Sequence, residues 1–132
     1  MARRLSTFLM FQGGDAEAAM RWYVSLFDGA SIDALERWGE AGPGRAGTVK
    51  LARFTVAGHR LMCSDSPPVH AFGFTPSLSL FVDCGDDDEF ERLFAALSED
   101  GGVLMPPGDY GFSRRFGWCN DRHGVSWQLN LA

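Results

Sequence analysis

The sequence predicts an α+β fold built from two βαβββ modules. Three observations carry that expectation. A strand, cap and helix pattern near the N-terminus recurs 71 residues later. Each copy is followed by a glycine-containing hairpin, which completes a module of the same plan. The chain has 132 residues, 45% of them apolar and 22% charged, so it can bury one domain's core and is neither disordered nor collagen-like in composition.

The elements follow in order. Phe8-Leu9-Met10-Phe11 is a short apolar run suited to a strand, and Gly13-Gly14 ends it. The preceding Arg3-Arg4 with Leu5 to Phe11 imitates a short signal peptide, but no small-residue cleavage site follows, and a first strand is expected instead. Asp15 is placed to cap a helix, with Glu17 in its first turn where the helix dipole favours an acid. Ala16, Ala19, Met20, Tyr23, Leu26 and Phe27 recur at three- and four-residue spacing and form one face. Gly29 is a natural stop. Ser31 to Leu35 supplies a second strand. Residues 50–56 and 60–64 flank Ala57-Gly58-His59 as a hairpin.

The second module repeats this. Leu78 to Val82 reads as a strand, and Asp86 with Glu89 makes a capping-box pair. Phe90, Leu93, Phe94 and Leu97 form the apolar helix face, closed by Gly101-Gly102. A shift of 71 places Leu9 on Leu80, Asp15 on Asp86, Tyr23 on Phe94 and Leu26 on Leu97. Val103 to Met105 is the next strand. Phe116 to Asn120 and Val125 to Leu131 flank a hairpin at residues 121–124, and a shift of 66 places Gly58 on Gly124 and Leu61 on Trp127. Gly39 to Gly47 and Met105 to Arg115 read as loops. Residues 65–76, with three prolines, read as a linker between modules at about 5–64 and 77–132.

Composition excludes several functions. The net charge of −5 gives no general attraction to nucleic-acid backbones. Lys50 is the one lysine, so Schiff-base chemistry would have to use it. Cys63, Cys84 and Cys119 are odd in number and form no C-x-x-C pair, which argues against a disulfide scaffold or structural zinc and for a reducing cytoplasm. No apolar run reaches the roughly 18 residues a membrane helix needs. An arginine-rich, lysine-poor composition is associated with GC-rich bacterial genomes.

Residue patterns across nearly the whole chain carry a family resemblance. They are Asp15-Ala16-Glu17-Ala18-Ala19-Met20 with Trp22-Tyr23, Phe54 through Gly58, and Met62 with Asp65-Ser66. They continue as His70-Ala71-Phe72 with Phe74-Thr75-Pro76, and as Leu93, Leu97 and Gly101-Gly102. Phe116-Gly117-Trp118, Asp121 and Gly124-Val125-Ser126-Trp127-Gln128-Leu129 complete them. With paired βαβββ modules, the chain resembles the PhnB-like branch of the glyoxalase/bleomycin resistance/dioxygenase (vicinal oxygen chelate) superfamily. Members of that branch often carry the name 3-demethylubiquinone-9 3-methyltransferase. Gln12-Gly13-Gly14-Asp15 lacks the spaced glycines that a Rossmann-type methyltransferase uses after its first strand.

The resemblance implies half-barrel sheets with helices on the outer face and a cavity on the other, and it implies a homodimer. Strand parity then sorts side chains. Leu78, Leu80, Val82, Val125, Trp127, Leu129 and Leu131 should face the helices. The cavity candidates are Met10, Gln12, Met62 and Ser64 in the first module. In the second they are Ser77, Ser79, Phe81, Trp118, Ser126, Gln128 and Asn130. Active superfamily members place a divalent metal in this cavity. The matching positions here are Phe8, Met62, Ser77 and Gln128, of which only Gln128 could ligate, so no metal and no other cofactor is expected. The lining suits a small organic ligand. The expected function is therefore small-molecule binding in the cytoplasm, with no nucleic-acid or membrane partner. The alternative is an enzyme of the same superfamily (lyase, dioxygenase or transferase), acting on a small organic substrate through unorthodox metal ligands or without metal through Cys119, Asp121 or an arginine. A third reading is an interaction domain with degenerated chemistry.

Single residues admit two readings each. His59 and His123 sit in hairpin turns and His70 in the linker, where solvation or loop capping competes with chemistry. Cys63 and Cys84 read as buried thiols, and Cys119 as the thiol most available for reaction. Asp121 suits an Asx-type turn. Trp127 belongs to the core, while Trp118 either roofs the cavity or simply packs. Arg114 and Arg115 either clamp an anion or lie on a solvated face. The run Asp86-Asp87-Asp88-Glu89 resembles a metal cluster, but its place at a helix start makes capping a sufficient cause.

Overall fold

The computed structural model describes residues 1–132, which divide into two compact units, 1–71 and 72–132. The first unit holds β1 (Thr7–Phe11), α1 (Ala16–Leu26), β2 (Ser31–Arg37), β3 (Val49–Val56) and β4 (His59–Asp65). The second holds β5 (Ser79–Asp83), α2 (Asp87–Ser98), β6 (Gly102–Gly108), β7 (Arg115–Asn120) and β8 (Ser126–Leu131). The strand orders are β1-β4-β3-β2 and β5-β8-β7-β6, with β1–β4 and β5–β8 parallel and the other pairs antiparallel. The fold is α+β with two βαβββ modules.

In each unit one sheet face packs on the helix. Leu9, Phe11, Ala52, Phe54, Leu61 and Cys63 are buried beneath α1, whose Ala16, Ala19, Met20 and Tyr23 are also buried. Tyr23 and Phe54 stack at 6.4 Å. Phe90, Leu93, Phe94 and Leu97 line the buried face of α2 and meet the β7 and β8 side of their sheet, with Cys119, Trp127, Leu129 and Leu131 buried. Gly117 is required here, because a Cβ on it would lie 2.6 Å from Phe94 Cε2.

The two helix starts differ. Asp86 caps α2 by accepting from Glu89 N at 2.8 Å, while Glu89 Oε1 accepts at 2.8 Å from Gly85 N, one residue before the N–H that the reciprocal bond of a capping box would use. Asp15 occupies the N-cap of α1 without a side-chain capping bond. Asp65 does that work from across the unit. Expected at the start of the linker, it ends β4, is only 3% exposed, and accepts from Ala16 N at 3.0 Å and Val49 N at 2.8 Å. Its carbonyl accepts from Trp38 Nε1.

Three other expectations change. Residues 105–108, read as loop, continue β6 through Pro106-Pro107. An edge strand tolerates this because its outer N–H groups need no partner, and the register shifts between Met105 and Gly108 absorb the prolines. Leu78 precedes β5 and is 67% exposed rather than packed inward. The single shift of 66 does not run through both hairpin strands. Val56 pairs with His59 around a two-residue loop, whereas Asn120 pairs with Ser126 around a longer one.

Candidate functional site

The sheet face away from each helix carries the candidate residues. In the first unit, strand parity puts Phe8, Met10, Met62, Ser64, Arg53, Thr55 and Arg60 on that face, and none of them is buried. Phe8 and Met62 are register partners, as are Met10 and Ser64. Gln12 continues the line beyond β1, and its Oε1 accepts from His70 N at 3.0 Å. It borders a cavity of about 390 Å³ with Pro43, Arg45, Thr48 and Pro67.

A second cavity, about 310 Å³, opens at the other end of this unit. Arg4, Ser6, Asp33, Arg53, Thr55 and Arg60 line it, with Phe54 and Leu61. Asp33 accepts from Ser31 Oγ and Thr55 Oγ1, both at 2.7 Å, and these bonds, Thr55's first, hold its carboxyl below the ordinary value of 3.8. This cluster is not among the sequence-predicted cavity residues. The available signal was alternation: Arg53 and Thr55 alternate with Ala52, Phe54 and Val56, and Arg60 shares parity with Met62 and Ser64.

In the second unit, Ser79, Phe81, Trp118, Ser126, Gln128 and Asn130 lie on the face away from α2. Gln128 has Phe81 and Trp118 as register partners. A polar chain runs through them: Gln128 Nε2 donates to Ser79 Oγ at 3.2 Å, Ser79 and Ser126 hydroxyls meet at 2.7 Å, and Trp118 Nε1 donates to Ser126 Oγ at 2.8 Å. Ser126 is buried by this arrangement. Asn130 Nδ2 donates to Asp83 at 3.0 Å, leaving its Oδ1 buried without a partner. Phe81, Tyr110, Phe112 and Phe116 form an aromatic cluster beside the chain, Phe112 meeting Phe116 edge-on at 5.0 Å. Tyr110 and Phe112, both exposed, come from the segment between β6 and β7, which sequence parity could not place.

Ser77 is not among these residues. It lies before β5, exposed, with its hydroxyl at 2.7 Å from Thr75's. The shift of 71 carries Phe8 onto Ser79 instead, which Gln128 Nε2 reaches, so the positions compared are Phe8 and Met62 in the first unit and Ser79 and Gln128 in the second. Neither pair, an aromatic ring with a thioether or a hydroxyl with an amide, offers the carboxylate, imidazole or thiolate donors that a resident divalent ion needs. No group of three His, Cys, Asp or Glu stands close enough to hold one.

The groups offered for chemistry have structural partners. Asp121 accepts from His123 N, Val125 N and Trp127 Nε1 within 3.1 Å. Cys119, expected to be the more available thiol, is buried in β7 on the helix side. Burial, with the Asp121 charge second, pushes it up to about 12. Burial likewise pushes Cys63 up to about 12 and Cys84 to about 11. Arg114 and Arg115 pair with Asp87, and Arg115 also meets Glu91 at 2.7 Å and lies over the Phe90 ring. His59 begins β4 and bonds Thr7 Oγ1 at 2.8 Å.

Paired βαβββ modules with helices on one face and polar and aromatic side chains on the other define a glyoxalase/bleomycin-resistance class of fold. Comparison places the chain within it: residues 3–130 match the model of the 3-demethylubiquinone-9 3-methyltransferase family, and the chain belongs to that PhnB-like family. A Bacillus cereus protein described as a 3-demethylubiquinone-9 3-methyltransferase, PhnB protein, is 51% identical. It covers 98% of this chain and 100% of its own, with a TM-score of 0.93. A Pseudomonas aeruginosa protein is 30% identical over 98% of both chains, with a TM-score of 0.83. A glyoxalase/bleomycin resistance protein/dioxygenase superfamily member from Sphaerobacter thermophilus shares the fold at 16% identity, covering 100% of both chains with a TM-score of 0.58. No curated protein matches the chain.

Proposed function

We propose that the protein binds a small organic molecule on the open sheet faces, without a resident metal. The observation that carries this reading is the character of those faces. Where metalloenzymes of this fold class bring charged or imidazole donors, this chain brings Phe8, Met62, Ser79 and Gln128. Phe8 and Phe81 are 50% and 54% exposed, which is costly for aromatic rings unless something covers them. Beside Phe81, Gln128 and the linked hydroxyls offer neutral hydrogen bonding, the usual complement of an organic ligand.

A catalytic reading follows from the family's name. Against it stand the thiols pushed to about 11 or 12 and the saturated Asp121, which leave no activated nucleophile or base among the residues offered for that role. The free, unpaired cysteines support a reducing, cytoplasmic setting. No helix is long and apolar enough to cross a membrane. The exposed apolar faces also support a homodimer, and light scattering at the 14.5 kDa of one chain would remove it.

The deciding experiment is metal content after exposure to zinc, nickel, manganese and iron(II) followed by desalting. The expected result is no retained ion, together with thermal stabilisation by at least one class of organic compound. Near one ion per chain overturns the metal-free reading.

A further inference from the structure

We infer that the 310 Å³ cavity of the first unit holds the dianionic phosphoryl head of a small organic ligand, gripped by Arg53, Arg60 and Arg4. This rests on the ligand-binding reading above and names the ligand's charged end.

The argument begins with how the arginines are used. Arg21 and Arg37 share Glu17, and Arg114 and Arg115 meet Asp87 and Glu91. Arg4, Arg53 and Arg60 have no carboxylate within ion-pair distance, yet they converge on one cavity in a chain of net charge −5. Three like charges gathered around a single carboxylate, Asp33, repel one another, and an anion relieves that repulsion.

Asp33 sets the charge of the ligand. It stays ionised because the Thr55 and Ser31 hydroxyls donate to it, and it feels the Arg60 charge at longer range. Three guanidinium groups less one carboxylate leave the wall at +2, the complement of a phosphate monoester at neutral pH. A planar carboxylate is satisfied by one guanidinium fork. A tetrahedral head with three terminal oxygens uses donors arriving from several strands, which is how Arg53 in β3, Arg60 in β4 and the segment before β1 approach. The volume lies at the lower end of organic-ligand pockets and exceeds what a lone phosphate fills, so the head belongs to a larger molecule. Arg53 and Arg60 share the open face with Met62 and Ser64, which places the ligand's remainder along that face.

Titration calorimetry on the full chain tests this with phenyl phosphate, inorganic phosphate and phenol. Phenyl phosphate should bind most tightly, inorganic phosphate more weakly, and raised salt should weaken both. Arg53→Gln and Arg60→Gln should each weaken phenyl phosphate about tenfold, the loss of one charge-assisted contact, with thermal melts unchanged. Asp33→Asn should tighten binding, which a merely structural role would not produce. Inorganic phosphate binding as tightly as phenyl phosphate overturns the organic-ligand part. Equal binding by wild type and the Arg53→Gln/Arg60→Gln double variant overturns the site. If phenol or other neutral compounds bind and neither phosphate does, the anion site falls while the ligand-binding reading stands. If nothing binds, both fall.

Discussion

Replacing Asp65 by alanine tests the most specific structural claim, that the N-terminus of α1 is held by the last residue of β4. The carboxylate accepts from two buried backbone N–H groups, Ala16 N at 3.0 Å and Val49 N at 2.8 Å. Loss of a helix cap costs about 1 kcal/mol. The Val49 N–H would be left buried without an acceptor, which costs about 1–3 kcal/mol more. Asp65→Ala should therefore destabilise the protein by ~2–4 kcal/mol in urea unfolding followed by far-UV circular dichroism. Asp65→Asn keeps one acceptor oxygen but turns an amide donor towards an N–H, and should fall between the two. Asp86→Ala removes only a local cap that Glu89 N used and should cost about 1 kcal/mol. If Asp65→Ala costs no more than Asp86→Ala, the cross-strand cap contributes nothing beyond a local one and the reasoning fails.

Other outcomes follow from single contacts. Ala57 and Gly58 turn the β3–β4 hairpin with φ of 50° and 76°, a two-residue turn that favours Asn-Gly; Ala57→Asn should raise stability by about 0.5–1 kcal/mol, read as a higher melting temperature. Gly117→Ala drives a methyl into the Phe94 ring and should cost about 1–3 kcal/mol, partly recovered by Phe94→Leu in the double variant. Cys63, Cys84 and Cys119 should ignore Ellman's reagent in the folded protein, with all three reacting after denaturation. Because burial raises these thiols above the ordinary 9.0, the fold keeps protons that the unfolded chain releases. Their contribution is complete below pH 9 and is lost as pH rises through about 11–12, so unfolding midpoints should fall across that window.

What was legible in the sequence is what periodicity encodes. Phe90, Leu93, Phe94 and Leu97 could be read directly, because a helix shows one face every three or four residues and that face must be buried. The same holds for Trp127 and Leu129 against Gln128 and Asn130, which alternate along β8. What was not legible depends on register between distant segments. Asp65 looked like the first linker residue, since nothing local shows that its oxygens meet Ala16 and Val49. Alternation with Leu78 and Leu80 puts Ser77 on the site face, but β5 begins two residues later. Arg4, Arg53 and Arg60 are separated by 49 and 7 positions, and only the pairing of β3 with β4 brings the latter two together.

The duplication itself explains why function is hard to read here. Under the shift of 71, positions on the helix side keep their character: Leu9 becomes Leu80, Tyr23 becomes Phe94 and Leu26 becomes Leu97. Each must fill a volume set by its own unit, and core packing penalises even a methylene of misfit. Positions on the open side do not keep theirs. Phe8 becomes Ser79, Met10 becomes Phe81 and Gln12 becomes Asp83. No helix in the unit constrains them, so their chemistry answers to something outside it. The first unit's open face ends in arginines, and the second's ends in aromatic rings beside a hydroxyl and amide chain. The free faces of the two copies have therefore diverged where their cores have not. Substitutions at Arg53 or Gln128 should therefore alter binding while leaving the fold intact, and substitutions at Phe54 or Leu129 should do the reverse.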